Sequence, residues 1–364
     1  MSRPTRRGWI FIICGATTLV LLAVALLLPV PYVKLSPGPT FNVIGTDDGT
    51  PVIAISGAQT YPTSGALDMT TVSELGGPRG GLTFIDAIVS WFSSSSAVIP
   101  SSLLFPENLT AEQNKTRQQL MFSTSQSDAV AAAMRYLNRP VKTQLVVTSV
   151  VGDSPADGKL LPADEILSID DVAMKAPEDV VSAVRGKPIG STLDIVVSRN
   201  GVKGDGVITD GVRSHVSVTS VANPDDATKP YIGIGVGEYY SAGFPIDFTL
   251  QDIGGPSAGT MFAIGIIDKL TPEDLAKGRH IAGTGTIDAD GNVGPIGGIR
   301  QKLAGARNAG AELFLMPASH CAEAAGHIPD GLRVVPMATL AQGVQTIKDW
   351  TAGKPVASCP ATGS

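Results

Sequence analysis

The chain has 364 residues, 43% of them hydrophobic, which is enough for two or three domains with substantial cores. Its formal net charge is −6, and no basic block follows the first seven residues. This balance argues against nucleic acid as a partner, because binding to phosphates needs a concentrated positive surface.

The first predicted element is a membrane anchor. Three arginines within residues 1–7 precede an apolar run, and residues 8–30 satisfy the roughly 20 residues that a spanning helix needs. Only Lys34 follows closely, so the positive-inside rule places 1–7 in the cytoplasm and the rest of the chain outside the cell membrane. The alternative is a cleaved signal peptide, although the run ends in Leu-Leu-Leu-Pro-Val-Pro, without a small-x-small cleavage site.

Residues 31–139 are predicted to form an extracytoplasmic region of strands followed by helices. β-Branched residues between turn signals predict strands at 52–57 and 65–75. Apolar residues at helical spacing predict a helix at 83–92, and the breaker-poor segment 109–137 predicts one or two more.

Residues 140–210 form a distinct module with the order strand, turn, strand, helix, strand. The turn carries Ser154-Pro155-Ala156, the next strand reads Ile-Leu-Ser-Ile-Asp at 166–170, and the last strand ends in Arg199-Asn200-Gly201. These features resemble a PDZ domain of the kind associated with bacterial proteases. One departure concerns the turn, where the usual Gly-Asp is Ala163-Asp164.

The PDZ resemblance implies that an extended peptide adds as a strand to an exposed sheet edge. Residues 144–151 are the expected wall of that groove. The alternative is a packing module whose groove is closed or unused.

The stretch Gly-Gly-Pro-Ser-Ala-Gly places Ser257 ahead of an apolar helical run. The free amides at such a helix start, here the backbone of Gly254, Ser257 and Ala258, can hold an oxyanion. Ser257 is thus a candidate nucleophile. Serine is also a favoured helix N-cap, which is the structural alternative.

A serine hydroxyl needs a base before it can attack. The pattern around Ser257 also satisfies the G-x-S-x-G elbow of α/β-hydrolases, in which an acid and then a histidine follow. His320 or His327, with Asp288 or Asp290, could fill that order. Against this, the PDZ-like module occupies much of the chain that the strand–helix units of that fold would need.

The other candidate base is Lys302, in the first turns of the predicted helix 300–310. An apolar environment and the nearby helix N-terminus would both lower the pKa of this lysine toward the range of a general base. The alternative is a surface lysine whose stem covers apolar area.

Together, Gly-Gly-Pro-Ser-Ala-Gly and the stretch TGTIDADGNVGPIGGIRQK resemble the proteolytic domain of the Lon family, which uses a Ser–Lys dyad. Carried over by position, the resemblance implies Ser257 as nucleophile, Lys302 as base and Thr284 as a supporting hydroxyl that orients the lysine. Where the family often has an acid three residues before the serine, this chain has Gly254, with Asp252 two residues further back.

The chain contains no G-x-x-x-x-G-K-[ST] phosphate loop, so no ATP-driven unfolding is expected. The order of anchor, PDZ-like module, Lon-type domain (228–350) and flexible tail (351–364) resembles the membrane-anchored, ATP-independent PDZ–Lon serine proteases of bacteria. The resemblance implies an α/β (α+β) proteolytic domain that includes strands near 50–75 and carries the PDZ-like β-rich domain as an insertion.

The same resemblance implies a serine endopeptidase without cofactor or metal. Its partners would be unstructured peptide or protein substrates, secreted or close to the membrane. Lon-type domains often form rings, so a homo-oligomer is also compatible with the resemblance. The non-enzymatic alternative is an inactive PDZ scaffold for exported proteins.

Two of the three cysteines lie outside the predicted anchor. Cys321 and Cys359 are either a disulfide pair in an oxidising compartment or a buried thiol and an unpaired one in the tail. The sequence leaves both arrangements open.

Overall fold

The computed structural model describes residues 6–77, 81–93, 95–105, 111–199, 211–250 and 253–359. The α-helices of these residues are α1 (Arg6–Leu27), α2 (Phe84–Trp91), α3 (Ala111–Tyr136), α4 (Pro177–Arg185), α5 (Gly259–Leu270), α6 (Ile299–Asn308), α7 (Cys321–Ala324) and α8 (Leu340–Thr351).

The strands of the same residues follow in chain order. They are β1 (Pro29–Val30), β2 (Tyr32–Asn42), β3 (Thr46–Asp47), β4 (Thr50–Pro51), β5 (Ile53–Ile55), β6 (Ala66–Gly76), β7 (Leu82–Thr83), β8 (Ala97–Pro100), β9 (Lys142–Val150), β10 (Glu165–Ile169), β11 (Val172–Ala173), β12 (Thr192–Arg199), β13 (Val212–Thr219), β14 (Val221–Ala222), β15 (Pro230–Tyr231), β16 (Ile234–Ser241), β17 (Ile246–Phe248), β18 (His280–Gly283), β19 (Thr286–Ile287), β20 (Val293–Gly294), β21 (Leu313–Pro317) and β22 (Arg333–Met337).

One sheet combines N-terminal strands with C-terminal strands of the chain, in the order β22-β21-β18-β6-β2-β8. The first four strands of this order are parallel, and β2 and β8 are antiparallel additions at one side. Helices cover both faces, which is why β21 is a continuous apolar run. Leu313 and Leu315 belong to one core, whereas Phe314 and Met316 belong to the core on the other face.

Each face of this sheet has its own helix beside the site. Helix α5 packs with α3 and α8 on the first face, and it is buried along nearly its whole length because it is apolar on all sides. Helix α6 packs on the opposite face through Ile299, Leu303 and Ala306. The predicted mixed α/β fold is confirmed.

A second sheet, in the order β13-β12-β10-β9-β16, builds the PDZ-like unit, and α4 packs on its core through Val180 and Val184. Its turn forms despite the departure from Gly-Asp. Ala163 takes a left-handed conformation (φ 71°). Asp164, which is 1% exposed, accepts hydrogen bonds from the Arg199 guanidinium at 2.7 and 2.8 Å.

The expected groove wall at 144–151 needs correction. Strand β9 pairs with β16 along its whole length, and Val146 pairs with Glu165 of β10 on the other side, so β9 is an inner strand of the sheet and not its edge. Residues 234–241, far along the chain, take the edge position among the described strands. A peptide strand adds to the backbone edge of an outer strand, so residues 234–238 of β16 replace β9 as the candidate edge. Further along β16, the N–H of Tyr240 is bonded to the hydroxyl of Ser127.

The end of the described chain is tied to the domain. Cys321 and Cys359 form a disulfide. The guanidinium of Arg333 donates to the carbonyl oxygen of Val356 at 2.7 Å. Up to residue 359, the segment predicted as a flexible tail (351–364) therefore has fixed contacts. The remaining cysteine, Cys14, is an exposed free thiol on α1.

Candidate active site

The loop that carries Ser257 is held from outside by helix α3. The hydroxyl of Ser125 donates to the carbonyl of Pro256 at 2.9 Å, and the N–H of Gly255 donates to the carbonyl of Gln118 at 3.0 Å. Ala258, not Ser257, occupies the N-cap of α5. The N-cap alternative for Ser257 is therefore wrong, and its hydroxyl is available for other contacts.

Three backbone amides beside the nucleophile position are unpaired. Among the described residues, the N–H groups of Gly254, Ser257 and Ala258 have no hydrogen-bond acceptor. They lie at the positive end of the α5 dipole, where a negative oxygen is stabilised. These are the three groups predicted to form an oxyanion site.

Lys302 reaches Ser257 from α6. Its Nζ lies 2.6 Å from Ser257 Oγ and 2.9 Å from Thr284 Oγ1. The residue is 2% exposed, so it is not a surface lysine. Burial away from water lowers the pKa of Lys302 to about 7, because desolvation disfavours the ammonium form.

Thr284 completes a closed triangle of contacts. It directly follows β18, is fully buried, and donates from Oγ1 to the carbonyl of Ser257 at 3.1 Å. The N–H of Gly285 donates to the same carbonyl at 2.9 Å. Thr284 thus fixes the lysine amine and the serine backbone relative to each other.

Three candidates of the hydrolase alternative, His320, Asp288 and Asp290, have partners other than Ser257. Among the described residues, Ser257 Oγ has its hydrogen bond with Lys302 and not with His327. Nε2 of His320 accepts from the N–H of Ile296 at 2.9 Å, and its Nδ1 faces Glu323 at 3.1 Å. Asp288 accepts a hydrogen bond from the side-chain amide of Asn292, and Asp290 forms an ion pair with Arg135. Within the described residues, Lys302 is the base that contacts Ser257. Asp252 lies outside the described residues.

Ser257 and Lys302 line a cavity of about 670 Å³. Six consecutive residues of β6, 69–74, line it. Alternating side chains of a strand face opposite ways, so consecutive lining residues indicate that the backbone edge itself faces the cavity. Strand β18 pairs only with 66–69 of β6, which leaves that edge free among the described strands.

Among the described residues, the charged side chains that line the cavity are Lys302 and Glu74. Glu74 is at the exposed rim, and partial desolvation raises the pKa of its carboxyl. No basic side chain of the described residues forms an ion pair with it. The sequence pattern did not indicate Glu74, Gln118 or Ser125. Nothing local in α3 marks Gln118 and Ser125, because they hold a loop more than 130 positions away in the chain.

Two known domain families match the chain. The PDZ domain family matches residues 122–209, and the C-terminal proteolytic domain of Lon protease (S16) matches residues 251–348. The second match contains Ser257, Thr284 and Lys302. The chain therefore carries a PDZ domain and a Lon-type proteolytic domain.

Curated relatives support the second match over short segments. The Lon protease of Roseiflexus castenholzii is 43% identical over 63 residues, 17% of this chain and 8% of that protein. Lon protease 2 of Herpetosiphon aurantiacus is 46% identical over 63 residues, with the same coverage. The Lon protease of Fusobacterium nucleatum is 37% identical over 90 residues, 25% of this chain and 11% of that protein. The matches thus span about a tenth of each relative's length.

A solved structure also resembles part of the chain. The PDZ domain of the SdrC-like protein from Listeria monocytogenes is 22% identical and covers 26% of this chain and 86% of that domain, with a TM-score of 0.21.

Proposed function

Because the chain carries a PDZ domain and a Lon-type proteolytic domain, we propose that it is a membrane-anchored serine endopeptidase with a Ser–Lys dyad. The observation that carries the proposal is the buried Lys302 amine 2.6 Å from Ser257 Oγ, with a pKa of about 7. A lysine of this kind is substantially neutral at physiological pH, and only a neutral amine accepts a proton.

The mechanism is acyl transfer. Neutral Lys302 takes the proton of Ser257 Oγ as that oxygen bonds to the substrate carbonyl carbon. The negative oxygen that develops receives hydrogen bonds from the free amides of Gly254, Ser257 and Ala258. Protonated Lys302 then gives its proton to the leaving amine as the C–N bond breaks. Water, deprotonated by the same lysine, hydrolyses the acyl-enzyme, and Thr284 keeps the lysine aligned throughout.

The substrates are extended and already unfolded. The chain has no phosphate loop, which supports ATP-independent action. The free edge of β6 beside Ser257 suits a peptide that adds as a strand. In the PDZ unit, residues 234–238 of β16 offer a second edge on which a substrate segment can be selected.

The two edges are linked by helix α3. Ser127 accepts a hydrogen bond from the N–H of Tyr240 in β16 at 2.7 Å. Two and nine residues earlier in the same helix, Ser125 and Gln118 hold the Ser257 loop. The PDZ edge strand and the nucleophile loop are therefore positioned by one rigid element, which supports presentation of substrates by the PDZ unit to the proteolytic site.

The location we propose is the outer face of the cytoplasmic membrane. Helix α1 is long and apolar enough to cross a membrane. The arginines precede it, which places the catalytic part outside by the positive-inside rule. The Cys321–Cys359 disulfide suits an oxidising compartment.

The test uses the full chain in lipid nanodiscs without ATP. Wild type, Ser257→Ala and Lys302→Ala are incubated with unfolded casein and extended peptides, and each is treated with a serine-directed fluorophosphonate. We expect wild type to cleave and to take the label, and both variants to lose cleavage. Activity that survives Lys302→Ala but not His320→Ala would support the hydrolase alternative. Wild type that binds peptides but neither cleaves nor labels would support the scaffold alternative.

A further inference from the structure

Helix α2 exposes an apolar surface. Apart from Asp86, every exposed residue of α2 is apolar, and so is Phe92, which directly follows the helix. The exposed fractions of these apolar residues are Phe84 46%, Ile85 43%, Ile88 40%, Val89 64%, Trp91 81% and Phe92 87%. Ser90, by contrast, is 2% exposed and faces the protein. We name these six apolar residues the α2 face.

The α2 face forms one continuous surface. At 100° per residue, its six side chains occupy a single arc of about 160°, with Ser90 and Ala87 on the inner side. Water-facing arcs of ordinary surface helices are charged or polar. Two aromatic rings exposed to more than 80% in a contiguous apolar patch indicate a non-aqueous partner.

The position of α2 identifies that partner. The N–H of Phe84 donates to the carbonyl of Leu28 at 3.1 Å, and β1 pairs with β7 directly before α2 begins. Leu28 is the residue that follows α1, so α2 starts at the level where the apolar helix ends. None of the residues of α1 is buried against the protein. If α1 crosses the bilayer, α2 starts at the bilayer surface.

We propose that α2 lies flat in the headgroup–acyl interface beside the exit of α1 and holds the proteolytic domain against the membrane. The proposal rests on the membrane anchoring proposed above. Amphipathic helices of this kind insert their apolar face by about 5–10 Å, and tryptophan is favoured at that depth. Strand β8 follows α2 and pairs with β2, next to β6, so the contact orients the cavity with respect to the bilayer.

The orientation has a consequence for substrates. A cavity fixed at the membrane surface accepts membrane-proximal loops and tails of other proteins more readily than distant secreted chains. It also accepts the extended segments that the free edge of β6 suits, provided that they run near the bilayer.

The test uses the three tryptophans of the full chain, Trp9, Trp91 and Trp350, retained one at a time by Trp→Phe substitution of the other two. Each variant is reconstituted in phosphatidylcholine vesicles with and without brominated acyl chains, which quench tryptophan on contact. Trp9 reports on α1, Trp91 reports on α2, and Trp350 in α8 is the matched control away from the membrane. We expect several-fold quenching of Trp9 and Trp91, and no change for Trp350.

The outcomes separate the two proposals. Quenching of Trp9 without quenching of Trp91 would keep the anchor and overturn the interfacial position of α2. Absence of quenching for both would overturn the anchor, and α2 with it. A Trp91 that resists both brominated lipid and aqueous acrylamide would show that protein covers the α2 face, which would also overturn the proposal in favour of a second copy of the chain.

Discussion

The amine of Lys302 lies 2.6 Å from Ser257 Oγ although α6, which carries the lysine, packs on the opposite face of the sheet from α5, which follows the serine. The Lys302 side chain passes from one face of the sheet to the other at the end of β18, where its amine contacts Thr284. The same crossing buries the amine between two cores, which lowers its pKa. The position of the amine and its lowered pKa therefore have one structural cause.

The first prediction concerns pH. If Lys302 is the base for Ser257, as proposed, only its neutral form can take the serine proton, so kcat/KM for peptide cleavage should rise as pH increases through the lysine pKa of about 7. Below that midpoint we expect about a tenfold fall per pH unit. Peptide cleavage measured from pH 5.5 to 9 checks this, and a profile that is flat from pH 6 to 9 would contradict it.

The second prediction is that the dyad lysine destabilises the fold. Its pKa falls from 10.5 to about 7, and each unit corresponds to about 1.4 kcal/mol, so the penalty reaches at most about 5 kcal/mol. Lys302→Met should therefore raise the free energy of unfolding by roughly 1–4 kcal/mol at neutral pH.

The sign of the pH dependence is specific. Between pH 7 and 10.5 the unfolded state binds the extra proton, so wild-type stability rises with pH and the advantage of Lys302→Met shrinks. Chemical denaturation at pH 6 and pH 9 measures this, with the more exposed Lys348→Met as control. An advantage that is equal at both pH values would rule out the buried amine as its cause.

The third prediction concerns Thr284 as a positioning residue. Thr284→Val keeps the shape but removes the hydroxyl that accepts from Lys302 and donates to the Ser257 carbonyl. We expect kcat to fall about 10- to 100-fold, the range for one buried hydrogen bond to a charged group. The acidic limb of the pH profile should move to lower pH, because the ammonium form loses an acceptor. Thr284→Ser should restore most of the activity, whereas an equal loss in both variants would indicate a packing role only.

The fourth prediction concerns substrate preference. Glu74 is the acidic side chain among the described cavity residues, and it lies about 13 Å along β6 from Thr70, beside the dyad. A basic side chain three or four residues from the cleaved bond should therefore be favoured. Glu74→Gln should lower kcat/KM about two- to fivefold for such peptides, the range for an exposed ion pair, and leave neutral peptides unchanged. A peptide library measures this, with Ser73→Ala as the control variant. Equal effects on basic and neutral peptides would refute the preference.

The fifth prediction concerns the PDZ turn. Ala163 has φ 71°, a conformation that costs an L-residue about 1 kcal/mol or more and that glycine adopts freely. Ala163→Gly should raise the stability of the PDZ unit by up to about 1 kcal/mol. Calorimetry measures the midpoint of unfolding. Ala183→Gly in α4 should lower the midpoint of the PDZ unit and so identifies which transition belongs to that unit. A lower midpoint for Ala163→Gly would contradict the prediction.

Much of the local structure follows from the sequence pattern. The helix predicted at 83–92 is α2, the strand predicted at 65–75 is β6, and the breaker-poor segment 109–137 is the single helix α3. These elements are predictable because periodicity and turn residues act over a few neighbours. The alternation of cores on β21 follows in the same way from a continuous apolar run.

The contacts between distant segments could not be predicted from the sequence pattern. The sequence identified Ser257, Thr284 and Lys302 as candidates through two short motifs. It placed the PDZ groove on β9, because no local pattern in residues 234–241 indicates that they pair with β9 and become the edge strand. It also left the Cys321–Cys359 pairing open and gave no sign that α3 holds the nucleophile loop.

By itself, then, the sequence determined the candidate chemistry and the apolar N-terminal helix, since both depend on residue types within short stretches. The tertiary structure decided which lysine is buried, which strand is the edge, which backbone edge faces the cavity and which apolar helix face is left uncovered. The physical reason is that burial and strand pairing depend on contacts between segments far apart in the chain, whose partners no local pattern specifies.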